Sequence, residues 1–395
     1  MLRIGVGSSD DVDGTSAAQS AFERAARQLE GLTPKAAVLF CGVDVDTSEV
    51  LRVMAARLPG VPLVGGTTAA EVSGTDGATE GLVNLVLFAG DMLEAGAGHF
   101  ALGGSDHPDD AVERARAAQL AVAQASKPLN SPPRLCLCFG ISARGPADLH
   151  AALVQALGTE VPVIGGGVVR SVLPEIHGEA FFGEQNLQEA AAMLLLAGDF
   201  QVTHAVGHGF RPIGEPHTIT RALKGGVLIE VDGQPALDLY RDYLGLPGDG
   251  AMMFVHHPML IQTAEGHLLR GAVGQGPSPG SLMLAGAVDE GSRMQLCEFD
   301  RESLLAATAT ATTEALAHWR GPPPTAALVF ECLTRWFALG TWAPRSLDRL
   351  RDSLPAGTVI AGAYVGGEFA PFARGGRTQL HNCSVVILLI GESAP

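Results

Sequence analysis

Two glutamates stand in matching places: Glu71 lies six residues beyond Gly65, and Glu368 lies six beyond Gly362. Paired carboxylates could bind an amine, or divide acid and base work, if the fold brought them to one cleft. An acidic side chain capping backbone amides in a loop fits the same spacing. The corresponding slot after Gly165 holds Ser171. Further on, Gly367-Glu368 is followed by His381-Asn382, just ahead of the last apolar stretch. An imidazole there could contact a ligand or ligate haem iron, with Asn382 fixing its ring; hydrogen bonds between loops would explain the pair equally. Cys332 with Arg335 could be a thiolate poised by a cation, or Cys332 a small buried apolar residue.

Other polar groups offer less. His204 and His208 in THAVGHGF are flanked by glycines that favour a strand, where the two rings would stand about 13 Å apart, too far to share one metal. His208 and Arg211 could still line a pocket. His256-His257-Pro258 ends an apolar run, MMFV, and in extended chain its rings would point to opposite faces. Asp10-Asp11-Val12-Asp13-Gly14 resembles half a calcium loop, but Ala21 stands where the bidentate glutamate belongs, so an N-cap is the better reading. The sequence carries no Walker lysine, nucleophile-elbow serine or HExxH motif.

Three similar segments must position these groups: VPLVGGTTAAEVSG (Val61 to Gly74), VPVIGGGVVRSVLP (Val161 to Pro174) and TVIAGAYVGGEFAP (Thr358 to Pro371). An apolar run precedes each, ending at Gly42, Gly140 or Cys332, and a second follows, closing on Gly90-Asp91, Gly198-Asp199 or Gly391-Glu392. Backbone N–H groups at Gly65, Gly66 and Thr67 could receive an anion, or the glycines simply allow a tight turn. The first unit reads strand (Arg3 to Gly7), helix (Gly14 to Glu30), strand (Ala36 to Cys41), helix (Thr47 to Leu58), glycine turn and strand (Leu82 to Phe88). The second repeats that order, with helices over Pro108 to Ala125 and Pro146 to Leu157 around the strand Arg134 to Phe139. From about Thr203 to Asp300, glycine, proline and histidine rise and strand patterns dominate. A third α/β unit resumes at Thr325 and ends on the strand Ser384 to Ile390. The expected fold is α/β, with two lobes of duplicated α/β sandwich units and a β-rich segment in the second lobe. The boundary is set near Phe200, giving domains 1–200 (halves about 1–100 and 101–200) and 201–395.

The chain has 395 residues, 47% of them hydrophobic, enough for ordinary cores. With 42 acidic against 26 basic residues, a formal charge of −16 and no basic run longer than a pair, nucleic acid and anionic membranes are not expected as partners. The longest apolar stretches are too short to span a bilayer. MLRIGVGSSDD lacks the basic and apolar regions of a secretory signal, and the six cysteines sit mostly in apolar runs, so a cytoplasmic location is expected.

The order VGGTTAAEVSG, GHGFRPIGEPHTITRALKGGVLIEVDGQPALDLY, LVFECLTR, AGAYVGGEFAPF, LHNCSVVILLIG resembles the FIST proteins, with an N-terminal and a C-terminal FIST domain. The match covers nearly the whole chain, and its most specific pieces are the RPIGEP…EVDGQPALD block and the terminal GE…HN…VVILL block. Two departures stand out: Leu333-Thr334-Arg335-Trp336 replaces a small, Gly-rich stretch, and Leu380 replaces an aromatic. The resemblance implies a sensory module that binds a small ligand and hands the signal to a partner such as a histidine kinase or a cyclic-dinucleotide enzyme. Some relatives are haem proteins that sense nitric oxide.

Three functional expectations follow. The first is a cytoplasmic sensor for an amino acid or other metabolite, its pocket drawn from Gly65, Gly66, Thr67, Arg211, Cys332, Arg335, Gly367, Glu368, His381 and Asn382. The second is a haem-based gas sensor with His381 first, and then His256 or His257, as axial ligand. The third is an enzyme using Glu368, His381 and Cys332, which requires those three to converge.

Overall fold

The computed structural model describes residues 1–102, 108–141, 147–169, 178–244 and 256–394. Its architecture is mixed α/β in two lobes. Three six-stranded sheets carry the three repeated units, and a further β-rich sheet forms the remainder of the second lobe.

Each unit contributes four strands to a sheet of its own. In the first sheet the order is Leu2–Ser9, Val83–Gly90, Ala36–Gly42 and Leu63–Thr68, the last two parallel. The second runs Leu93–Ala101, Ala190–Gly198, Pro133–Ile141, Val163–Gly167, and the third Gln201–Gly207, Val385–Gly391, Ala326–Cys332, Val359–Val365. The central strands are buried along nearly their whole length, as their unbroken apolar runs demand when both faces of a sheet are covered.

Every sheet is then completed by a hairpin borrowed from another unit. Ala180–Phe182 with Gln185–Leu187, from unit two, extends the first sheet. Glu368–Pro371 with Thr378–His381, from unit three, extends the second, and Ala70–Ser73 with Gly77–Thr79, from unit one, extends the third. The exchange is cyclic, so no unit's sheet is complete without a neighbour. At its centre Phe40, Phe139 and Phe330, one from the same place in each unit, meet edge to face with centroids 5.3, 5.8 and 6.1 Å apart. They lie in one core cluster drawn from all three sheets, which aromatic edge contacts favour beyond simple area burial.

Helices cover the outer faces. Asp13 caps Gly14–Arg27, accepting from the Ser16 N–H at 2.7 Å, which settles the acidic run as a cap. Arg301–Ala317 is a helix that the sequence pattern conceals: ATATATTEALA has almost no apolar periodicity, and the helix is held by burial of Leu304, Leu305, Thr308, Ala311, Thr312 and Ala315. Leu333–Leu339 is a second such helix, sitting where the departure from the family pattern was read.

The β-rich sheet orders His267–Arg270, Met259–Gln262, Arg293–Glu298, Arg211–Leu223, Val227–Val231, Leu282–Leu284 and Ala272–Gln275. The Asp232-Gly233 turn leads into the helix Ala236–Leu244, whose Ala236, Leu237 and Tyr240 bury into this lobe's own core. His256 and His257 precede the strand Met259–Gln262; residues 251–255 lie outside the described residues.

Candidate functional site

The glycines of the three segments are explained by packing. A Cβ on Gly65, Gly165 or Gly362 would sit 1.8, 2.1 or 1.8 Å from the carbonyl oxygen of Leu39, Cys138 or Val329 on the adjacent strand. Gly66 is covered by Val168, and Thr67 is consumed by the hairpin of unit two: its N–H donates to the Glu179 carbonyl, its hydroxyl donates to the Val169 carbonyl, and it accepts from the Glu179 N–H. Gly65, Gly66 and Thr67 therefore hold two units together.

Strand register identifies the equivalent positions directly. Gly66, Gly166 and Ala363 face Ala180, Glu368 and Glu71 respectively. Unit two thus fills the glutamate slot with Ala180, not with Ser171, which lies outside the described residues; the loop ahead of the hairpin is longer in that unit, and linear counting misplaces the match. Glu71 and Glu368 do not share a cleft either. Each is locked inside a different inter-unit junction, fully buried.

The two glutamates differ in one decisive respect. In unit one the Leu82 N–H donates to Glu71 Oε2 at 2.7 Å, and the Thr68 hydroxyl donates to Oε1. In unit three the Ser384 N–H takes the place of Leu82 and donates to Glu368 Oε2 at 3.3 Å, joined by the Ser384 hydroxyl. Val365 stands where Thr68 stood, so Glu368 Oε1 has no hydrogen-bond partner among the described residues. Burial raises the Glu71 pKa to about 8 despite its donors, and pushes Glu368 well above the carboxylate range, with the neighbouring Cys332 adding to the rise. Glu71 is therefore a neutral acid at pH 7.

Beside Glu368 lie two thiols. In unit one the same crossing is made by Gly42 and Gly81, where a Cβ on Gly42 would come within 2.5 Å of the Gly81 Cα. Unit three replaces that pair with Cys332 and Cys383, keeping the bridging bond from the Cys332 N–H to the Ser384 carbonyl at 2.9 Å. Cys383 holds a left-handed φ of 57°, and Gly81 one of 81°. Cys383 and then Thr334 draw the Cys332 pKa down, to about 6, while Cys332 and then burial push Cys383 up. Thus Cys383, which the sequence reading passed over, belongs to the site; its signal was the Cys-for-Gly exchange at the left-handed position.

The remaining candidates divide. Gly367, with φ 105°, ties unit three to unit two through its carbonyl, which accepts from the Gly167 N–H at 2.9 Å. Asn382 donates to the His381 carbonyl at 2.9 Å, leaving its buried Oδ1 unpartnered among the described residues. His381 faces Glu368 across the hairpin, but its Nε2 lies 3.0 Å from the Ala370 carbonyl and its ring packs on Phe372. The three groups of the enzyme expectation converge only as Cys332 and Glu368. The His381 surroundings do not fit a haem either, because the nitrogen an axial ligand would offer is already engaged in a ring 3% exposed.

Arg335 is no partner of the thiol. Its guanidinium pairs with Glu331 at 2.9 Å and donates to the His208 and Leu304 carbonyls and the Thr308 hydroxyl, wholly buried. Arg211 stands on the surface, ion-paired with Asp300 at 3.0 Å. His204 reaches the Pro371 carbonyl, and burial lowers both it and His208 to about 4. Among the described residues no three His, Cys, Asp or Glu side chains are placed to hold a metal ion.

Between the β-rich sheet and the hairpin Thr378–His381 runs a groove of about 600 Å³ that the sequence did not reveal. Arg270 forms its inner wall at 6% exposure. Nε donates to the Ala287 carbonyl, and Nη1 donates to those of Leu269 and Leu380, each at 3.0 Å. Among the described residues nothing accepts from Nη2, and no carboxylate lies within ion-pairing distance. Burial lowers its pKa to about 10, still charged at neutral pH. Lys224, Arg377, Glu265 and Asp289 also line the groove, and the charge of Asp289 reaches Arg270 without forming an ion pair.

The sequence matches the FIST N domain over residues 3–234 and the FIST C domain over residues 236–371. The chain belongs to the FIST family. An uncharacterized protein of Mycobacterium tuberculosis is 26% identical over 98% of this chain and 99% of its own length. One from Mycobacterium bovis is 29% identical over 47% of this chain and 49% of its own. Among solved structures, a cyanuric acid hydrolase from A. caulinodans aligns over the full length of both chains at 9% identity with a TM-score of 0.42. Among the described residues no helix of this FIST protein is long and apolar enough to cross a membrane.

Proposed function

We propose that this FIST protein is a cytoplasmic sensory module that binds a small carboxylate metabolite, an α-amino acid being the best fit, in the groove beside Arg270. The observation that carries this reading is the unused Nη2, among the described residues, of a buried, charged guanidinium that makes no close ion pair, Asp289 acting on it only at longer range. A buried cation without a paired anion is costly, and a ligand carboxylate would compensate it through charge-assisted hydrogen bonds. Glu265 and Asp289, which line the same groove, suit the ammonium of the same ligand. Arg270 also bonds the Leu380 carbonyl, and Gln379 donates to Glu265 at 2.6 Å, so both groove walls are tied to the hairpin that completes the second sheet. Occupancy would bias how the β-rich lobe sits on that hairpin, and a histidine kinase or cyclic-dinucleotide enzyme would read the difference.

The test is thermal stabilisation by a panel of amino acids, dicarboxylates and other small anions. Ligand at a hundredfold excess over its dissociation constant adds about 2.7 kcal/mol of stability. R270K keeps the charge but loses the planar fork, and R377A removes an exposed cation at little structural risk; both should weaken the shift at least about tenfold in concentration. A panel that shifts nothing, or shifts R377A and R270K as strongly as the natural protein, rejects the groove as a ligand site.

A further inference from the structure

We infer that Cys332 and Cys383 form a redox-active dithiol, which a small hydroperoxide oxidises to a disulfide with Glu368 carrying the proton. Unit one serves as a built-in comparison. There the crossing of the two strand ends is made by Gly42 and Gly81, and the adjacent Glu71 has both oxygens satisfied. Unit three keeps the same backbone crossing, bridged by the Cys332 N–H to the Ser384 carbonyl. It differs at three points together: both glycines become cysteines, and the hydroxyl that would satisfy the glutamate becomes Val365.

Those changes act in one direction. The 2.9 Å bond from the Cys332 N–H to the carbonyl of Ser384, the residue after Cys383, holds the two strand ends together, and a disulfide between them requires Cα atoms within about 7 Å. Cys383 keeps the left-handed φ that Gly81 has, uncommon outside glycine, and the Cys332 and Cys383 thiols act on each other's acidity. The fully buried Glu368, with Oε1 unpartnered among the described residues, is the acid beside them. A structural carboxyl would have kept the threonine that Glu71 has. Gly271 covers Cys383, its Cβ position lying 3.7 Å from Sγ, and the next residue is Arg270 at the groove wall.

The chemistry balances as follows. The Cys332 sulfur attacks one peroxide oxygen; the S–O bond forms and the O–O bond breaks. The Cys332 proton, passed through Glu368, leaves with the other oxygen as water or alcohol. The Cys383 sulfur then attacks the sulfenic sulfur, forming S–S as S–O breaks, and its proton leaves with the departing hydroxide as water. The two sulfurs lose two electrons and the peroxide gains them.

Mass spectrometry on the intact, full-length protein tests this. The reduced protein is treated with near-stoichiometric hydrogen peroxide under native conditions, quenched with an alkylating agent and digested. The expected result is loss of two hydrogens, a Cys332–Cys383 linked peptide, and the other four of the six cysteines alkylated after denaturation, all reversed by dithiothreitol. In C383S the oxidation should stop at a Cys332 sulfenic acid that dimedone traps. E368Q, checked for native circular dichroism, should oxidise at least about tenfold more slowly. Six free thiols after treatment, a disulfide elsewhere, or equal dimedone capture at Cys41 would overturn the proposal.

Discussion

Exchanging one hydroxyl between two equivalent positions should change stability with opposite signs. Thr68 and Val365 occupy the same place in units one and three, each buried and facing a buried glutamate. Thr68→Val strips Glu71 Oε1 of its donor; the only other bond of that hydroxyl, to the Cys41 carbonyl, is a long 3.4 Å. An acceptor left bare at full burial costs about 1–3 kcal/mol, and the neutral state of Glu71 places the cost near 2 kcal/mol. Val365→Thr does the reverse, giving Glu368 Oε1 a partner in a side chain of nearly the same shape. A buried Val→Thr change ordinarily loses about 1–3 kcal/mol because the hydroxyl has nowhere to bond. Here it should be neutral or gain up to about 1.5 kcal/mol. Urea unfolding of the two variants, compared by midpoint at unchanged slope, reads both values. If V365T falls as far as T68V, Glu368 has no open oxygen, and its asymmetry with Glu71 is lost as a functional argument.

Further expectations concern charge. Glu71 holds its proton in the folded state up to about pH 8, whereas an unfolded glutamate releases it near 4.5. Its contribution is therefore full below about pH 4.5 and drains away as pH rises toward 8, at up to about 1.4 kcal/mol per unit. His204 and His208, lowered to about 4, act oppositely and lose stability only as pH falls from 6.5. Denaturation midpoints measured from pH 6.5 to 8 should thus decline, and E71Q should flatten the decline by about one proton's worth; an unchanged slope refutes the neutral carboxyl. R335A strands Glu331 inside the third sheet and should cost about 3–5 kcal/mol, with E331Q in the same chain recovering part of it; a loss below about 1 kcal/mol would show the pair to be solvated.

Much of the scaffold was legible because it is written locally. Apolar runs closing on glycine and the helices Gly14–Arg27 and Thr47–Arg57 each depend on neighbours in sequence, and the structure places them within a few residues of expectation. The cyclic exchange of hairpins was not legible, since which sheet edge a hairpin joins is decided by long-range pairing that no period records. Arg301–Ala317 escaped for another reason: alternating alanine and threonine carries no helical stripe, and tertiary burial supplies what propensity does not. The site was half visible. Glu368 and Cys332 stood out by motif, but Cys383 is fifty-one positions from Cys332 and meets it only at the strand crossing. Arg335, read as the thiol's cation, belongs to Glu331, whose carboxylate at the end of the strand Ala326–Cys332 meets the guanidinium at 2.9 Å.

A protein with three copies of one junction offers a standard against which each copy can be judged. Where a copy keeps only what packing requires, its residues should be small or mutually satisfied, as Gly42, Gly81, Glu71 and Thr68 are, and as Ala180 is where unit two dispenses with the acid altogether. Selection for stability alone would erase an orphaned carboxyl oxygen, since threonine is available in the same frame and removes the penalty. Unit three retains the orphan, sets two thiols against it, and adds a non-glycine residue in a left-handed conformation that costs on the order of 1 kcal/mol. Three local penalties gathered at one of three equivalent places are hard to reconcile with packing, and are what a reactive site requires: polar groups held short of satisfaction until a substrate arrives.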